Sequence, residues 1–155
     1  MRQAFIWFGH TPVGLYMRDS TDGFATVETV HLLGLALLGG VVLLLGLGAL
    51  NVAVAGGTPA STAQTLRPVF AIALTVMLAS GVLLVASKPL RYFLSPSFRW
   101  KIALLVAGVA LYAWLDRRLV RSGPGALART DRQLALLLLI TWFGVGLAGR
   151  LIGLL

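Results

Sequence analysis

The stretch VETVHLLGLALLGGVVLLLGLGALNVAV, from Val27 to Val54, decides the fold. After His31 it is almost wholly Leu, Val, Gly and Ala. A helix needs about 20 mostly apolar residues to cross the hydrocarbon layer of a bilayer. Strands of a membrane barrel alternate polar and apolar residues, and this run does not alternate, so a helix is expected.

Working outward, three further runs meet or approach the same length. One extends from about Pro68 to Ser87. Another has a pure core from Ile102 to Leu115, with Trp100 and Lys101 before it and Asp116 and Arg117 after it. Such residues anchor or snorkel at the membrane surface. The last runs from Leu134 to Leu155, broken only by Arg150, which can snorkel to the surface. Turn signals separate the runs: Gly56-Gly57-Thr58-Pro59, Lys88-Pro89, Ser95-Pro96-Ser97 and Ser122-Gly123-Pro124-Gly125. Short connections make successive helices antiparallel neighbours. The expected fold is all-α: one domain over residues 1–155, an up-down four-helix membrane bundle with spans at about 27–54, 68–87, 100–116 and 134–155.

Composition agrees. The 155 residues are 58% hydrophobic and 12% charged, more apolar surface than a small soluble domain can hide. The net charge of +8 comes from 13 Lys and Arg, which sit beside the apolar runs rather than in a basic-aromatic module. They suit lipid headgroups, not nucleic acid. The absence of cysteine excludes disulfides, iron–sulfur clusters and thiolate metal sites. Basic residues divide almost evenly between the two sides. The five Arg from Arg117 to Arg132 are the densest group and favour a cytoplasmic third loop, with the N-terminus outside.

The first 23 residues read differently. Phe5, Ile6, Trp7 and Phe8 lie close together, and Val13 to Met17 is amphipathic before Arg18-Asp19. This segment is expected to form a short helix lying flat in the interface. It lacks the long apolar core of a signal peptide.

Ionisable residues within or beside spans are costly and mark candidate sites. Glu28 and His31, three apart, share a helix face near the start of the first span. Lys101, Lys88 and Arg91 fall toward the same side of the membrane in an up-down bundle. Three chemistries compete. His31 can ligate haem b, with Lys88, Arg91, Arg99 and Lys101 as propionate partners and Met77 or His10 as a second axial ligand. His31 with Glu28 and His10 can bind a transition metal. Glu28 and His31 can carry a proton. Against all three stands a plain packing role, in which Glu28 pairs with Lys101 or Arg91 and His31 hydrogen-bonds a neighbouring helix. Ala36-x-x-x-Gly40 and Gly149-x-x-x-Gly153, with Gly34, Gly81 and Gly108, are expected to permit close helix approach. Trp142 and Tyr112 are expected to be bundle or interface aromatics.

Several motifs resemble a family of small, uncharacterised bacterial four-helix membrane proteins. They are Thr11-Pro12-Val13-Gly14, then Glu28-x-x-His31-x-x-Gly34, then Pro68 opening the second helix with Gly81 in its second half, then Phe98-Arg99-Trp100-Lys101. More distantly, the layout is similar to copper-resistance-D-type proteins and HemJ-type protoporphyrinogen oxidases. That similarity implies haem b at His31, with electron transfer in a bacterial cytoplasmic membrane. Helices three and four lack a histidine, so it does not carry oxidase activity across. The alternatives are an accessory subunit of a membrane complex, self-associating or bound to other subunits, and a metal or small-solute transport component.

Overall fold

The computed structural model describes residues 2–52, 58–122 and 127–154. The turn residues Gly56, Gly57, Gly123, Pro124 and Gly125, and the expected span ends at Val54 and Leu155, lie outside them. Seven helices follow in order among the described residues: α1 (Arg2–Gly9), α2 (Pro12–Asp19), α3 (Thr21–Ala49), α4 (Pro59–Ser87), α5 (Pro89–Leu94), α6 (Pro96–Ser122) and α7 (Arg129–Leu154). Helices α3, α4, α6 and α7 are long and apolar enough to cross a membrane.

Local chemistry sets the helix ends. Thr11 caps α2, its hydroxyl accepting from the Gly14 N–H, with Pro12 in the first turn. Ser20 caps α3 in the same way through Gly23. The far end of α3 closes on Asn51, whose φ of 62° places it in the left-handed region that Asn tolerates. There the Val52 N–H reaches Leu47 O and the Asn51 N–H reaches Gly48 O, which satisfies carbonyls the helix leaves open.

The second spanning helix begins earlier than the apolar run suggested. Thr58 caps it through Ser61, and Pro59 occupies its first turn. The polar residues from Ser61 to Arg67 are helical, and Pro68 lies inside α4 rather than opening it. The N-terminal segment forms two short helices instead of one, with a corner at His10-Thr11. It is tied to the bundle where Phe5 packs on Phe93 of α5, ring centres 5.1 Å apart.

Contacts fix the topology. On α3 and α4, His31 meets Ser80 and Gly34 meets Met77, so residue numbers rise on one helix as they fall on the other. Arg67–Asp116 and Phe70–Tyr112 give the same sense to α4 and α6. Gly108–Trp142 and Gly149–Lys101 do so for α6 and α7, and Gly39–Trp142 with Gly46–Leu139 for α7 and α3. The four spans therefore form a square, up-down-up-down, with α3 diagonal to α6.

Leu38, Val42, Leu45, Met77, Ala73, Leu115, Leu138 and Val145 fill its centre. Burial of this set does not by itself separate protein from lipid, because acyl chains are equally apolar; close packing and interhelical polar contacts must add specificity. Small residues supply part of it. A Cβ on Gly34 would lie 3.5 Å from the Met77 backbone nitrogen, and one on Gly108 would lie 2.9 Å from the Trp142 ring. Gly40 corrects the expectation drawn from Ala36-x-x-x-Gly40: nothing lies within 4 Å of its Cβ position. Ala36 is exposed and Gly40 half-buried, and the pair makes no close helix contact.

Candidate functional site

Toward the end of the bundle that carries α5, the helix diagonal is bridged by polar atoms. His31, about three turns into α3, is 8% exposed. Its Nδ1 lies 2.9 Å from Ser80 Oγ on α4, and its Nε2 lies 3.4 Å from Lys101 Nζ on α6. Gly81 and Gly149 make room. A Cβ on Gly81 would come within 3.2 Å of His31 Cε1, and one on Gly149 within 3.5 Å of Lys101 Nζ. Every spanning helix thus contributes to one centre.

The hydrogen bonds have a definite direction. Ser80 Oγ has one proton and gives it to the Val76 carbonyl, 2.7 Å away. With that proton so used, the hydroxyl is assigned as the acceptor from His31, which places the imidazole proton on Nδ1. Nε2 is left with a lone pair, which accepts from the Lys101 ammonium. Ser80 therefore fixes the orientation of the ring through Nδ1. Lys101 spends one N–H on His31, and no carboxylate of the described residues pairs with it.

Sequence reasoning named His31 and Lys101, and the structure brings these two together. It places the other candidates elsewhere. Glu28 is exposed and takes part in none of the ion pairs among the described residues; it lies near the Tyr92 phenol on α5. Arg91 is exposed and lines a surface groove with His10, Arg18 and Lys88. Met77 is buried one turn deeper than His31, opposite Gly34. Glu28, His31 and His10 form no metal-holding group: no cluster of three or more His, Asp or Glu occurs among the described residues.

Ser80 was missed because a serine in an apolar helix reads as a small packing residue whose hydroxyl bonds back to its own helix. It does so here, but its second lone pair serves the imidazole. Two interhelical ion pairs at the opposite end were also missed. Arg67 on α4 reaches Asp116 on α6, Nη2 to Oδ2 2.8 Å, and Arg118 on α6 reaches Asp131 on α7. Asp116 and Asp131 are both buried. The visible signal is an acid directly after the third apolar run, a position that equally suits surface anchoring.

The bundle therefore has a His–Ser–Lys centre near one membrane face and carboxylate–guanidinium clamps near the other, with an apolar middle between them. The clamps have both charges in place. The His–Ser–Lys centre holds a lysine with no negative partner among the described residues, and a buried charge without a partner is costly.

No curated protein and no solved structure matches this chain. The likeness to small four-helix membrane proteins without a known role is supported by a family match, which adds nothing for copper-resistance-D-type or HemJ-type proteins. That match runs over residues 4–155, and the chain, a multi-pass membrane protein by its four apolar helices, belongs to the family of unknown function DUF6644.

Proposed function

We propose that this protein binds haem b within a bacterial cytoplasmic membrane and takes part in electron transfer. The observation that carries the reading is the pair of contacts His31 makes, Nδ1 with Ser80 and Nε2 with Lys101. Nδ1–H is held by Ser80, so the Nε2 lone pair points into the bundle beside a cation. A haem-binding imidazole needs that tautomer, and a haem propionate needs that cation. The residue types suit the group although the packing leaves it no room as it stands: His31 would hold the iron and Lys101 a propionate only once Lys101 leaves Nε2. Haem, when bound, supplies one-electron chemistry at iron. The chain's own contribution is to fix the ring plane through Ser80, to neutralise a carboxylate through Lys101, and to keep water from the centre with the apolar core below it.

The test is an absorption spectrum of the full-length protein purified in detergent. A Soret band that disappears in His31→Ala and persists with faster haem loss in Lys101→Met is the expected result. A colourless protein that stays colourless after incubation with haemin refutes the proposal.

One observation favours a second reading. Lys101 already meets Nε2, and the surface groove lined by His10, Arg18, Lys88 and Arg91 does not reach His31. Haem would have to displace Lys101 and part the α3–α4 hairpin from the α6–α7 hairpin. If the polar contacts instead serve packing alone, the chain is an accessory subunit. One constant partner would then co-purify with it, and His31→Ala would lower its stability without changing any spectrum.

A further inference from the structure

A groove of about 350 Å³ lies where α4 ends and the N-terminal helices pack on α5. Four basic side chains from separate parts of the chain line it: His10, Arg18, Lys88 and Arg91. All four are exposed, none takes part in an ion pair among the described residues, and no carboxylate lines the groove. Ile6, Pro89 and Leu90 supply apolar wall beside them.

Gly9 builds the groove. It packs against Pro89 so closely that a Cβ would lie 2.6 Å from the proline ring. Its carbonyl accepts from Arg18 Nη2 at 2.6 Å. That bond fixes the guanidinium and leaves its other N–H groups free for a ligand. The corner is tight on its other side too, since a Cβ on Gly14 would lie 2.8 Å from the same carbonyl. The cations are thus gathered on a braced corner.

We propose that this groove is a binding site for the phosphate of an anionic phospholipid. Guanidinium and ammonium groups converging without an acid are suited to phosphate oxygens. The place argues for lipid rather than a soluble phosphate: the groove lies where a spanning helix ends, the position at which basic residues meet headgroups, with apolar wall alongside for the start of an acyl chain. Basic pockets at this depth recognise lipid headgroups by the same chemistry. This site does not depend on haem at His31, since the two share no residue.

The experiment is lipid binding to the full-length protein in detergent, read by native mass spectrometry, with phosphatidylglycerol and phosphatidylcholine as probes. Lys88→Gln/Arg91→Gln removes two groove cations. Arg117→Gln/Arg121→Gln removes the same charge from exposed positions at the opposite membrane face. Phosphatidylglycerol is expected to bind in preference to phosphatidylcholine. Its affinity should fall about thirty-fold in the groove variant, from the usual contribution of a basic residue near an anionic membrane, and about threefold or less in the control. Equal losses in the two variants would reduce the groove to general charge attraction and overturn the proposal. So would equal binding of the two lipids. Inorganic phosphate or glycerol phosphate binding as tightly as phosphatidylglycerol would make the site one for soluble phosphate and overturn the lipid assignment. All of these readouts are independent of visible absorbance.

Discussion

Replacing Gly108 and Gly40 by alanine, one at a time, separates packing from lipid exposure with the same chemical change. Each substitution gains helix propensity, at most about 1 kcal/mol. At Gly40 the new methyl meets nothing within 4 Å, so only that gain is expected. At Gly108 it would stand 2.9 Å from Trp142 Cε3 and 3.0 Å from Cζ3. Carbon atoms rest about 3.5–4.0 Å apart, so the indole must retreat by roughly 0.5–1 Å. Trp142 is 7% exposed, and its other edge already faces Gly39 of α3. Forced overpacking of this kind costs about 1–3 kcal/mol. Gly108→Ala should therefore be the less stable of the two by about that amount. Thermal unfolding in detergent, followed by circular dichroism, measures the difference. Equal melting temperatures, or a lower one for Gly40→Ala, would refute the assignment of Gly108 to the interior and Gly40 to the lipid face.

Other perturbations probe the polar layers. Arg67→Met leaves Asp116 buried without its cation, whereas Asp116→Leu leaves only a half-exposed arginine able to reach water. The first should lower the melting temperature more than the second, and the reverse order would contradict the pairing. Tyr92 on α5 is pushed above the ordinary phenol range by burial, with Arg91 opposing and Glu28 adding to the shift. The unfolded chain then releases the Tyr92 proton first as pH rises past about 10, so stability falls through the window up to the native value. Tyr92→Phe should remove part of that alkaline loss, and Arg91→Gln should move the ultraviolet titration of Tyr92 to still higher pH; an unshifted titration in Arg91→Gln would separate the two groups.

The membrane bundle was legible because lipid leaves backbone polar groups few options, so four apolar runs of the right length dictate four helices. Their antiparallel order followed from short connections. That His31 and Lys101 lie near the same face was legible because topology carries α3 and α6 in the same direction; their direct contact was not. What hydropathy does not contain is rotation about each helix axis. Glu28 and His31 are three residues apart, about 60° apart in direction, and near the end of the bundle that difference puts one outside and the other inside. Gly40 failed for the same reason, since spacing identifies a smooth stripe without saying which way it faces. The first turns of α4 were hidden by their polarity: Ser61, Thr62, Gln64 and Arg67 resemble a loop until the capping by Thr58 is seen. Ser80 escaped notice because its partner lies 49 positions away in the chain.

The account rests on His31 holding its proton on the Ser80 side and accepting a hydrogen bond from Lys101 on the other. Nitrogen NMR of the ¹⁵N-histidine-labelled protein, with His31 assigned by its loss in His31→Gln, reads this directly. The expected spectrum has a protonated Nδ1 and an unprotonated Nε2 at His31, with the Nε2 signal moving in Lys101→Met. A proton on Nε2, or a His31 signal indifferent to Lys101, would contradict it.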